Sequence, residues 1–527
     1  MGDINTLDLA IFIGYFVLVI MIGFFAGRKK KETARDYFVT TNRLPWFLIG
    51  FGMLASSVST EQFIGSCGFA YKWGMPVFNW ELSNFVAMLI MLWIFIPVYL
   101  NRKVITIPQY LGLRFGNRPR TIYAAISIFA LVFIMLAGVA YTGGFLLEQI
   151  FGMNKLLGIW IMVLVAGSYT VFGGLISVAW TQLLQGILLL GGGLLVTVLG
   201  LLTVDGGFSA IVGTGVRAHL IQPLSHPEIP WTAVLVLTIP VNIWYWCTNQ
   251  PLIQSCLGAR SRWDSAMGII FAGFLILVST MAIEFPGIIA YALDPNLAKP
   301  DMAYPFVVNT LVTRGLRGLV LAGLCGAVMS TIEALVHSAS TLFTLELFHT
   351  IKPDSSENAL ITTGRICSTV VLILGASWAP IVGRFPTIFE FFQKCWFFIA
   401  APVAALFVLA IFWKRTTEKA AFWTLMLCFP LFVLPYFLQI GEQAYAWQVN
   451  EFNLAGVVFI LSLIFCFTVS LLTSPPEPKP IEDLVWKPSM VSLPQEELSH
   501  GYPWYRNLWL WCGIWVTIMV VIYSKFW

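Results

Sequence analysis

Between Gly50 and Tyr71, an apolar stretch long enough to cross a bilayer carries polar residues near its middle. They are Ser56, Ser57, Ser59, Thr60, Glu61 and Gln62. Hydrocarbon provides no water for such groups, so they must face a protein-lined cavity or a pathway for ions and solutes. Glycine and short hydroxyl residues also let the backbone leave helical geometry, which frees carbonyl oxygens to coordinate a cation. The pattern predicts a binding site inside a membrane, and the alternative is a kinked helix whose polar groups pair with neighbouring helices.

Polar residues interrupt five other apolar stretches. They are Trp80, Glu81 and Asn84; Asn242, Trp244, Tyr245, Trp246, Asn249 and Gln250; Glu284; Ser330, Thr331, Glu333, His337 and Ser338; and Glu390, Gln393 and Lys394. The stretch around Asn242 is broken in the same way as the first, five spans later, which predicts an inverted repeat with a site at the repeat interface. We expect Glu284 to be solvated at the outer end of its helix and His337 to be a packing residue. The tryptophans, including Trp80, are expected at interfaces or in packing.

The composition indicates an integral membrane protein. Hydrophobic residues make up 58% of the 527 residues and charged residues 11%, against roughly 25% charged in soluble domains. The net charge of +4 is small, and no basic patch with interleaved aromatic residues predicts a nucleic-acid partner. The sequence contains no GxSxG, HExxH or His/Asp constellation and only five histidines. We therefore expect the protein not to be an enzyme.

The fold class predicted from hydropathy is an all-α integral membrane protein with about 14 transmembrane helices. The apolar spans fall near 8–28, 44–71, 74–100, 121–150, 155–174, 178–203, 230–250, 263–292, 318–347, 360–380, 386–413, 418–438, 452–472 and 505–525. Lysine and arginine concentrate in the loops after the first, third, seventh and eleventh spans. These loops are therefore expected to be cytoplasmic, which places both termini outside, in a plasma or bacterial inner membrane. The polar loop 474–504 is expected to be a cytoplasmic linker.

Several motifs resemble the sodium:solute symporter family, and most of all its sodium/sugar (galactose/glucose) cotransporters. The matching stretches are STEQFIG at 59–65, TIPQYLGLRF at 106–115, FGGLISVAWTQLLQG at 172–186, YWCTNQPLIQ at 245–254, FPGIIAYAL at 285–293, GAVMSTIEALVHSASTLFTLELF at 326–348 and FWKRTT at 412–417. The likeness runs from about residue 8 to residue 420 and implies a LeuT-like core of two inverted repeats of five spans, working by alternating access. The corresponding segments are 1–43 (accessory span and basic loop), 44–203 (first repeat), 204–229 (extracellular loop), 230–413 (second repeat) and 414–527 (accessory spans).

The resemblance implies one sodium site. Its matching ligands are the carbonyls of Ala55, Val58 and Ala327 and the hydroxyls of Ser330 and Thr331. Carbonyls from an unwound turn together with two adjacent hydroxyls are suitable ligands for sodium. The two hydroxyls could instead bond to carbonyls one turn earlier in their own helix, a common role of Ser and Thr in membrane helices.

The resemblance also implies a solute site. Gln62, Glu81 and Gln393 match the family's residues that bind sugar hydroxyls, while Asn242 and Tyr245 match a polar contact and an aromatic inner gate. Asn84 stands where a serine is usual. Met135 and Ile276 replace an asparagine and a lysine of the family, so we expect part of the wall to be apolar. Paired polar groups in a dry pocket discriminate strongly for hydroxyls.

Two departures from the family concern coupling. Gln182 replaces an aspartate in the TDxxQ motif, and Glu333 adds a carboxyl to the helix that carries Ser330 and Thr331. Two and three positions separate Glu333 from these residues, so it should project from a different face of the helix. An ionised carboxyl at that depth is costly, which leaves a supporting or a proton-linked role for Glu333, or that of a satisfied partner of a nearby helix.

Together these features predict sodium-coupled symport of a small neutral polyhydroxylated solute, such as a sugar or a sugar derivative. Sodium is the expected coupling ion, with one ion per solute because of Gln182. The expected partners are the solute, sodium and the lipid bilayer, and the protein is expected to act as a monomer. The alternatives are a proton-coupled symporter, a sodium symporter of another small organic solute, and a membrane-embedded enzyme or receptor.

Overall fold

Helices make up most of the residues that a computed structural model describes, which are 6–27, 33–40, 43–213, 215–385, 388–426, 451–476, 481–498 and 503–527. In this part of the chain the only extended pairing is an isolated bridge between Leu44 and Ala259. The first helices are α1 (Thr6–Gly27), α2 (Ala34–Phe38), α3 (Trp46–Ser57), α4 (Gln62–Trp73), α5 (Met75–Asn101), α6 (Ile107–Phe115), α7 (Asn117–Gln149), α8 (Lys155–Thr203) and α9 (Gly207–Val212).

The remaining helices follow after residue 230. They are α10 (Trp231–Thr248), α11 (Gln250–Leu257), α12 (Arg262–Ile283), α13 (Phe285–Leu293), α14 (Ala303–Leu311), α15 (Leu316–Ile351), α16 (Glu357–Trp378), α17 (Ile388–Phe412), α18 (Glu451–Leu472), α19 (Gln495–Leu498) and α20 (Leu508–Phe526). The all-helical class predicted from the apolar runs therefore holds throughout the described ranges.

The described residues contain ten helices that are long and apolar enough to cross a membrane, and the bent pair α3–α4 makes eleven. The predicted number of 14 is not confirmed. One reason is that α8, with 49 residues, contains two predicted spans, which meet at Gly174 with φ 65° and ψ −172°. A side chain at Gly174 would lie 2.7 Å from the Tyr37 carbonyl oxygen, so this bend requires glycine. Another reason is that most of the predicted span 418–438 lies outside the described residues.

Two spanning segments are broken at an extended residue. Helix α3 ends before Val58, with φ −103° and ψ 120°, and the axis turns by 63° into α4. Helix α10 ends before Asn249, with φ −83° and ψ 121°, and Pro251 follows in the first turn of α11. An extended residue inside a span leaves backbone groups without helical partners, so each break offers carbonyl oxygens or N–H groups to a site.

Helix α15 lies at the centre of the bundle, because nearly all its residues from Gly318 to Leu342 are buried. It packs against α8, α3 and α1. At its first turn, Asp8 of α1 accepts hydrogen bonds from the backbone N–H groups of Gly315 and Gly318, both at 2.8 Å. A carboxylate in this position satisfies N–H groups that have no partner within the helix and complements the positive end of the helix dipole.

Candidate functional site

Two carbonyls and two hydroxyls meet where α3 ends against the middle of α15. The Ser330 hydroxyl lies 2.9 Å from the carbonyl oxygens of both Ala55 and Ala327 and can donate its proton to either one. The Thr331 hydroxyl lies 3.3 and 3.1 Å from the same two oxygens. All four residues are buried. A hydroxyl that donates one hydrogen bond keeps lone pairs for a cation, so this set of four hard oxygens is chemically suited to sodium.

Val58, the fifth predicted ligand, is the extended residue at the end of α3 and is fully buried. Its backbone has left the helix at the level of this oxygen cluster. The alternative role of these hydroxyls, a hydrogen bond to a carbonyl one turn earlier in their own helix, is also observed. Ser330 and Thr331 both bond to the carbonyl of Ala327, three and four residues earlier in α15. The same hydroxyls therefore join α15 to α3 and remain within reach of a shared cation.

Gln182 of α8 lies beside this cluster. Its side-chain amide donates to the Ser56 hydroxyl at 3.1 Å and to the Ser330 carbonyl at 3.3 Å. The residue is buried, at 1% exposed. It links α8 to both helices of the cluster through a neutral group, so it adds no negative charge for a second cation.

Five of the six predicted solute-binding residues line one cavity beside the break in α3–α4. The cavity is lined by Ser57, Gln62, Trp80, Glu81, Asn84, Leu237, Val241, Asn242, Tyr245, Trp246 and Trp396. The sixth predicted residue, Gln393, belongs to α17, and its side chain lies outside the described residues. Gln62, Glu81, Asn84 and Asn242 are each less than a tenth exposed, so the cavity is largely closed to solvent.

Glu81 is the centre of the polar network in this cavity. One carboxyl oxygen accepts from the Gln62 amide at 2.8 Å, and the other accepts from the Asn84 amide at 3.0 Å. The Asn84 oxygen in turn accepts from the Trp246 indole at 2.9 Å, and the Gln62 oxygen accepts from the Ser59 backbone N–H at 3.0 Å. The network therefore runs from the helix break to the aromatic wall, and a solute hydroxyl could replace any of these partners.

Asn242 and Tyr245 come from α10. The Asn242 amide donates to the Ser83 hydroxyl at 2.9 Å. The Tyr245 hydroxyl lies 3.4 Å from the carbonyl of Ser57, the last residue of α3. Helices α3, α5 and α10 are therefore joined around the cavity by side chains that also line it.

Tryptophans form much of the wall, which the sequence did not predict. Trp80 and Trp396 are stacked with ring centres 6.1 Å apart, and Tyr245 lies 5.5 Å from Trp396. Trp80 was assigned to packing from its residue type, but it lines the cavity. Trp396 follows Gln393 by three positions, a helical spacing that could have identified it. The aromatic rings give the cavity flat apolar faces beside its polar network.

Met135 and Ile276 do not supply the apolar part of this wall. Met135 lines a separate small cavity with Trp244 and Asn249, and Ile276 is buried but lines neither cavity. In this cavity the apolar positions are taken by Leu237, Val241 and the tryptophans, and contact of Met135 or Ile276 with the solute stays a prediction.

Glu333 faces away from the oxygen cluster, toward α8. It is fully buried and accepts hydrogen bonds from the hydroxyls of Tyr169 and Thr181 and from the Gln185 amide, the last at 2.8 Å. All three partners come from one helix, and the Thr181 hydroxyl also lies 3.0 and 3.2 Å from the carbonyl oxygens of Val178 and Ser177. An ionised carboxylate is an acceptor only, so this arrangement suits the charged form.

Glu284 lies between α12 and α13 and is fully buried. Neither carboxyl oxygen has a hydrogen-bond partner among the described residues. The expectation that this residue is solvated is wrong, because α13 folds back onto α4 and encloses it. His337 is buried, with its Nε2 atom 3.1 Å from the Phe38 carbonyl and its ring against Tyr37 and Phe38.

Comparisons with known proteins point to one family of transporters. A sequence profile of the sodium:solute symporter family matches residues 37–428. The sodium/glucose cotransporter of Vibrio parahaemolyticus is 32% identical over 450 residues, covering 79% of this chain and 83% of that protein. The sodium/myo-inositol cotransporter of Bos taurus is 29% identical over 533 residues, covering 90% and 74%.

Solved structures with the same fold include a Na+-coupled sialic acid symporter in a substrate-bound outward-open state. It has a TM-score of 0.76 at 22% identity and covers 90% of this chain and 99% of its own. A nucleobase-cation-symport-1 family transporter in a closed conformation has a TM-score of 0.52 at 14% identity, covering 86% and 99%. At these identities the likeness concerns the fold alone.

Proposed function

The chain belongs to the sodium:solute symporter family, and on this premise we propose that it transports a small neutral polyhydroxylated solute together with sodium. The observation that carries this proposal is the position of Glu81 between two amides in a closed cavity with aromatic walls. Hydroxyl groups can donate to Glu81 and accept from the amides, while the rings cover the apolar face of a sugar or cyclitol. The relatives named for glucose and myo-inositol support this class of solute.

The proposed sodium site consists of the carbonyls of Ala55, Val58 and Ala327 and the hydroxyls of Ser330 and Thr331. One sodium ion would accompany each solute molecule, because Gln182 supplies an amide where a carboxylate could hold a second cation. The sodium site and the solute cavity share the broken helix α3–α4. Binding of either ligand therefore orders the same break, which is a physical basis for coupling.

The proposed mechanism is alternating access by a LeuT-like core of two five-span repeats, 44–203 and 230–413. The solute-binding residues come from both segments, with Gln62 and Glu81 in the first and Asn242 and Tyr245 in the second. Relative movement of the two segments would open the cavity to one side at a time. We further propose that the protein acts as a monomer in the bilayer with both termini outside.

Counterflow in proteoliposomes tests whether the protein is a transporter and for which solutes. Proteoliposomes that contain the purified protein are loaded with unlabelled glucose, galactose, myo-inositol or a neutral polyol. Entry of the same solute in labelled form is then followed with and without sodium. We expect sodium-dependent exchange of at least one of these solutes. Exchange only of charged organic acids, or exchange that does not require sodium, would contradict the proposal.

The double substitution Ser330→Ala with Thr331→Ala tests the sodium site. Removing two hydroxyl ligands should raise the sodium concentration for half-maximal transport by about 100-fold, roughly 2.7 kcal/mol, while the order of preference among solutes stays the same. The matched control is Ser340→Ala with Thr341→Ala on the same helix, a pair whose hydroxyls bond to the His337 carbonyl. Equal effects of the two double substitutions would assign the Ser330 pair to helix packing.

A further inference from the structure

Glu284 is a fully enclosed carboxyl that the sodium and solute sites do not use. It is 0% exposed, and both of its carboxyl oxygens lack a hydrogen-bond partner among the described residues. An ionised carboxylate without donors or a cation is strongly disfavoured in such surroundings, by several kcal/mol. A neutral carboxylic acid carries no such penalty for its charge. The surroundings therefore select the protonated form.

The charged neighbours of Glu284 reinforce this selection. Glu81, from α5, and the Cys67 thiol, from α4, are the titratable groups whose charges act on it. Each of these two groups is neutral when protonated and negative when deprotonated, so neither can supply a positive charge to stabilise an ionised Glu284. Glu81 accepts from two side-chain amides, whereas neither Glu284 oxygen has a hydrogen-bond partner in the described part of the chain. If only one of the two carboxyls is ionised, this difference favours the charge on Glu81 and the proton on Glu284.

One further acid lies near this group outside the spanning helices. Asp301, in the short turn Pro300–Met302, acts electrostatically on Cys67. Burial raises the pKa of Asp301 above its ordinary value. Its titration therefore has to be separated from that of Glu284 in any experiment on this site.

The backbone at Glu284 is a junction that movement would open. Its N–H still bonds to the Thr280 carbonyl at 3.1 Å, whereas Pro286, in the first turn of α13, has no N–H to continue the helix. Helix α13 then lies so close to α4 that a Cβ atom on Gly287 would be 2.0 Å from the Cys67 carbonyl oxygen. Separation of α13 from α4 would break this contact and admit water to Glu284.

We propose that Glu284 is a proton-binding site whose occupancy follows the contact between α13 and α4. While the contact is closed, the side chain holds a proton. When it opens, the carboxyl O–H bond breaks, the electron pair stays on the carboxylate and the proton passes to water. Helix α4 also carries Gln62 of the solute cavity, so the proton site and the solute site share a moving element. This inference goes beyond the proposed symport and holds for any transported solute.

Infrared spectroscopy of the purified full chain in lipid nanodiscs tests the site without a solute. The carbonyl stretch of a protonated carboxyl is recorded in sodium-free buffer from about pH 5 to about pH 9, above the range in which exposed carboxyls titrate. We expect a band near neutral pH in the parent protein that is weaker in Glu284→Gln by the contribution of one carboxyl, because the buried Glu61 also has an oxygen without a partner among the described residues. The band should keep its intensity in Asp301→Asn and in Glu418→Gln, which changes an exposed glutamate.

Three results would overturn the proposal. These are the absence of the band in the parent protein, its unchanged intensity in Glu284→Gln, and loss of the Glu284 contribution when sodium chloride replaces choline chloride, which would make Glu284 a sodium ligand. If Glu284→Gln does not fold, Glu284→Asp provides the second variant, and its band should shift in frequency. Because no solute is added, failure of this test is distinguishable from failure of the proposed symport.

Discussion

Glu333 and Glu284 are both fully buried carboxyls in the membrane-spanning part of the chain, yet their surroundings differ in every respect. Glu333 accepts three hydrogen bonds from α8, and Glu284 has none among the described residues. Glu333 lies in the middle of a long helix, and Glu284 lies between two helices. The first arrangement stabilises a charge, and the second stabilises a proton.

The difference teaches that burial alone does not define the role of an intramembrane acid. Three converging donors make Glu333 a fixed link between α15 and α8, which suits a helix that also carries Ser330 and Thr331. The sequence left a supporting or a proton-linked role open for Glu333, and the hydrogen bonds favour the supporting role. The proton-linked role passes to Glu284, whose surroundings change when α13 moves.

Removal of the Glu333 carboxyl should have the largest effect on stability. Glu333→Ala removes the acceptor of the Tyr169 hydroxyl and the Gln185 amide, while Thr181 keeps backbone acceptors in its own helix. Two buried donors without an acceptor should cost about 3 kcal/mol in the free energy of unfolding. Thermal unfolding of the purified protein measures this loss. Glu284→Ala leaves no donor unpaired and should cost less, and the reverse order would contradict the comparison.

Filling the contact beside Glu284 should have the next largest effect. In Gly287→Ala the new methyl group would meet the Cys67 carbonyl, so α13 must move away from α4 at a cost of about 1–3 kcal/mol. The control is Gly14→Ala in α1, where nothing lies within 4 Å of the added atom. The thermal unfolding midpoints of Gly287→Ala and Gly14→Ala are compared. Equal stability of the two variants would indicate that α13 can move away from α4 without cost.

The amide variant of Glu333 should affect sodium binding only moderately. Glu333→Gln keeps an acceptor oxygen and the shape of the side chain, so sodium affinity should change by less than about tenfold, roughly 1.4 kcal/mol. The pH dependence of transport should stay that of the parent protein if these hydrogen bonds keep Glu333 charged. Sodium titration and transport at several pH values check both statements, and a shifted pH profile would return the proton-linked role to Glu333.

The smallest effect is expected for Glu284→Gln. An amide has the shape of the protonated acid, so stability near neutral pH should stay within about 1 kcal/mol of the parent protein, less than for Glu333→Gln, whose new N–H₂ group faces donors. Unfolding measurements on the two variants in the same buffer provide the comparison. A larger loss for Glu284→Gln would mean that Glu284 is charged.

The sequence predicted what depends on local pattern. Polar residues inside the apolar runs indicated the break after Ser57 and the cavity residues Gln62 and Glu81. Because polar side chains are costly in hydrocarbon, their presence in a spanning segment indicates a cavity or a site. Membership of the sodium:solute symporter family, expected from the motifs, is confirmed by the family profile. The oxygen cluster of Ala55, Ala327, Ser330 and Thr331 is assembled as the resemblance implied, while its role in sodium binding stays a prediction.

The sequence did not predict what depends on tertiary contacts. Trp80 and Trp396 face the cavity because of the rotation of their helices, which hydropathy does not report. Glu284 is enclosed because α13 folds onto α4, a contact between segments more than 200 residues apart. The number of spans is not confirmed for a different reason, since α8 contains two of the predicted spans, joined at the non-helical backbone of Gly174.

The cap that Asp8 provides to α15 has a mechanical consequence for the N-terminal helix. Two charge-assisted hydrogen bonds fasten α1 to the first turn of the helix that carries Ser330 and Thr331. During a transport cycle these two helices should move as one rigid body, although α1 lies outside the predicted repeats. A spin label or fluorophore on an exposed residue of α1, such as Phe24, would then report the displacement of α15 without modifying the helix itself.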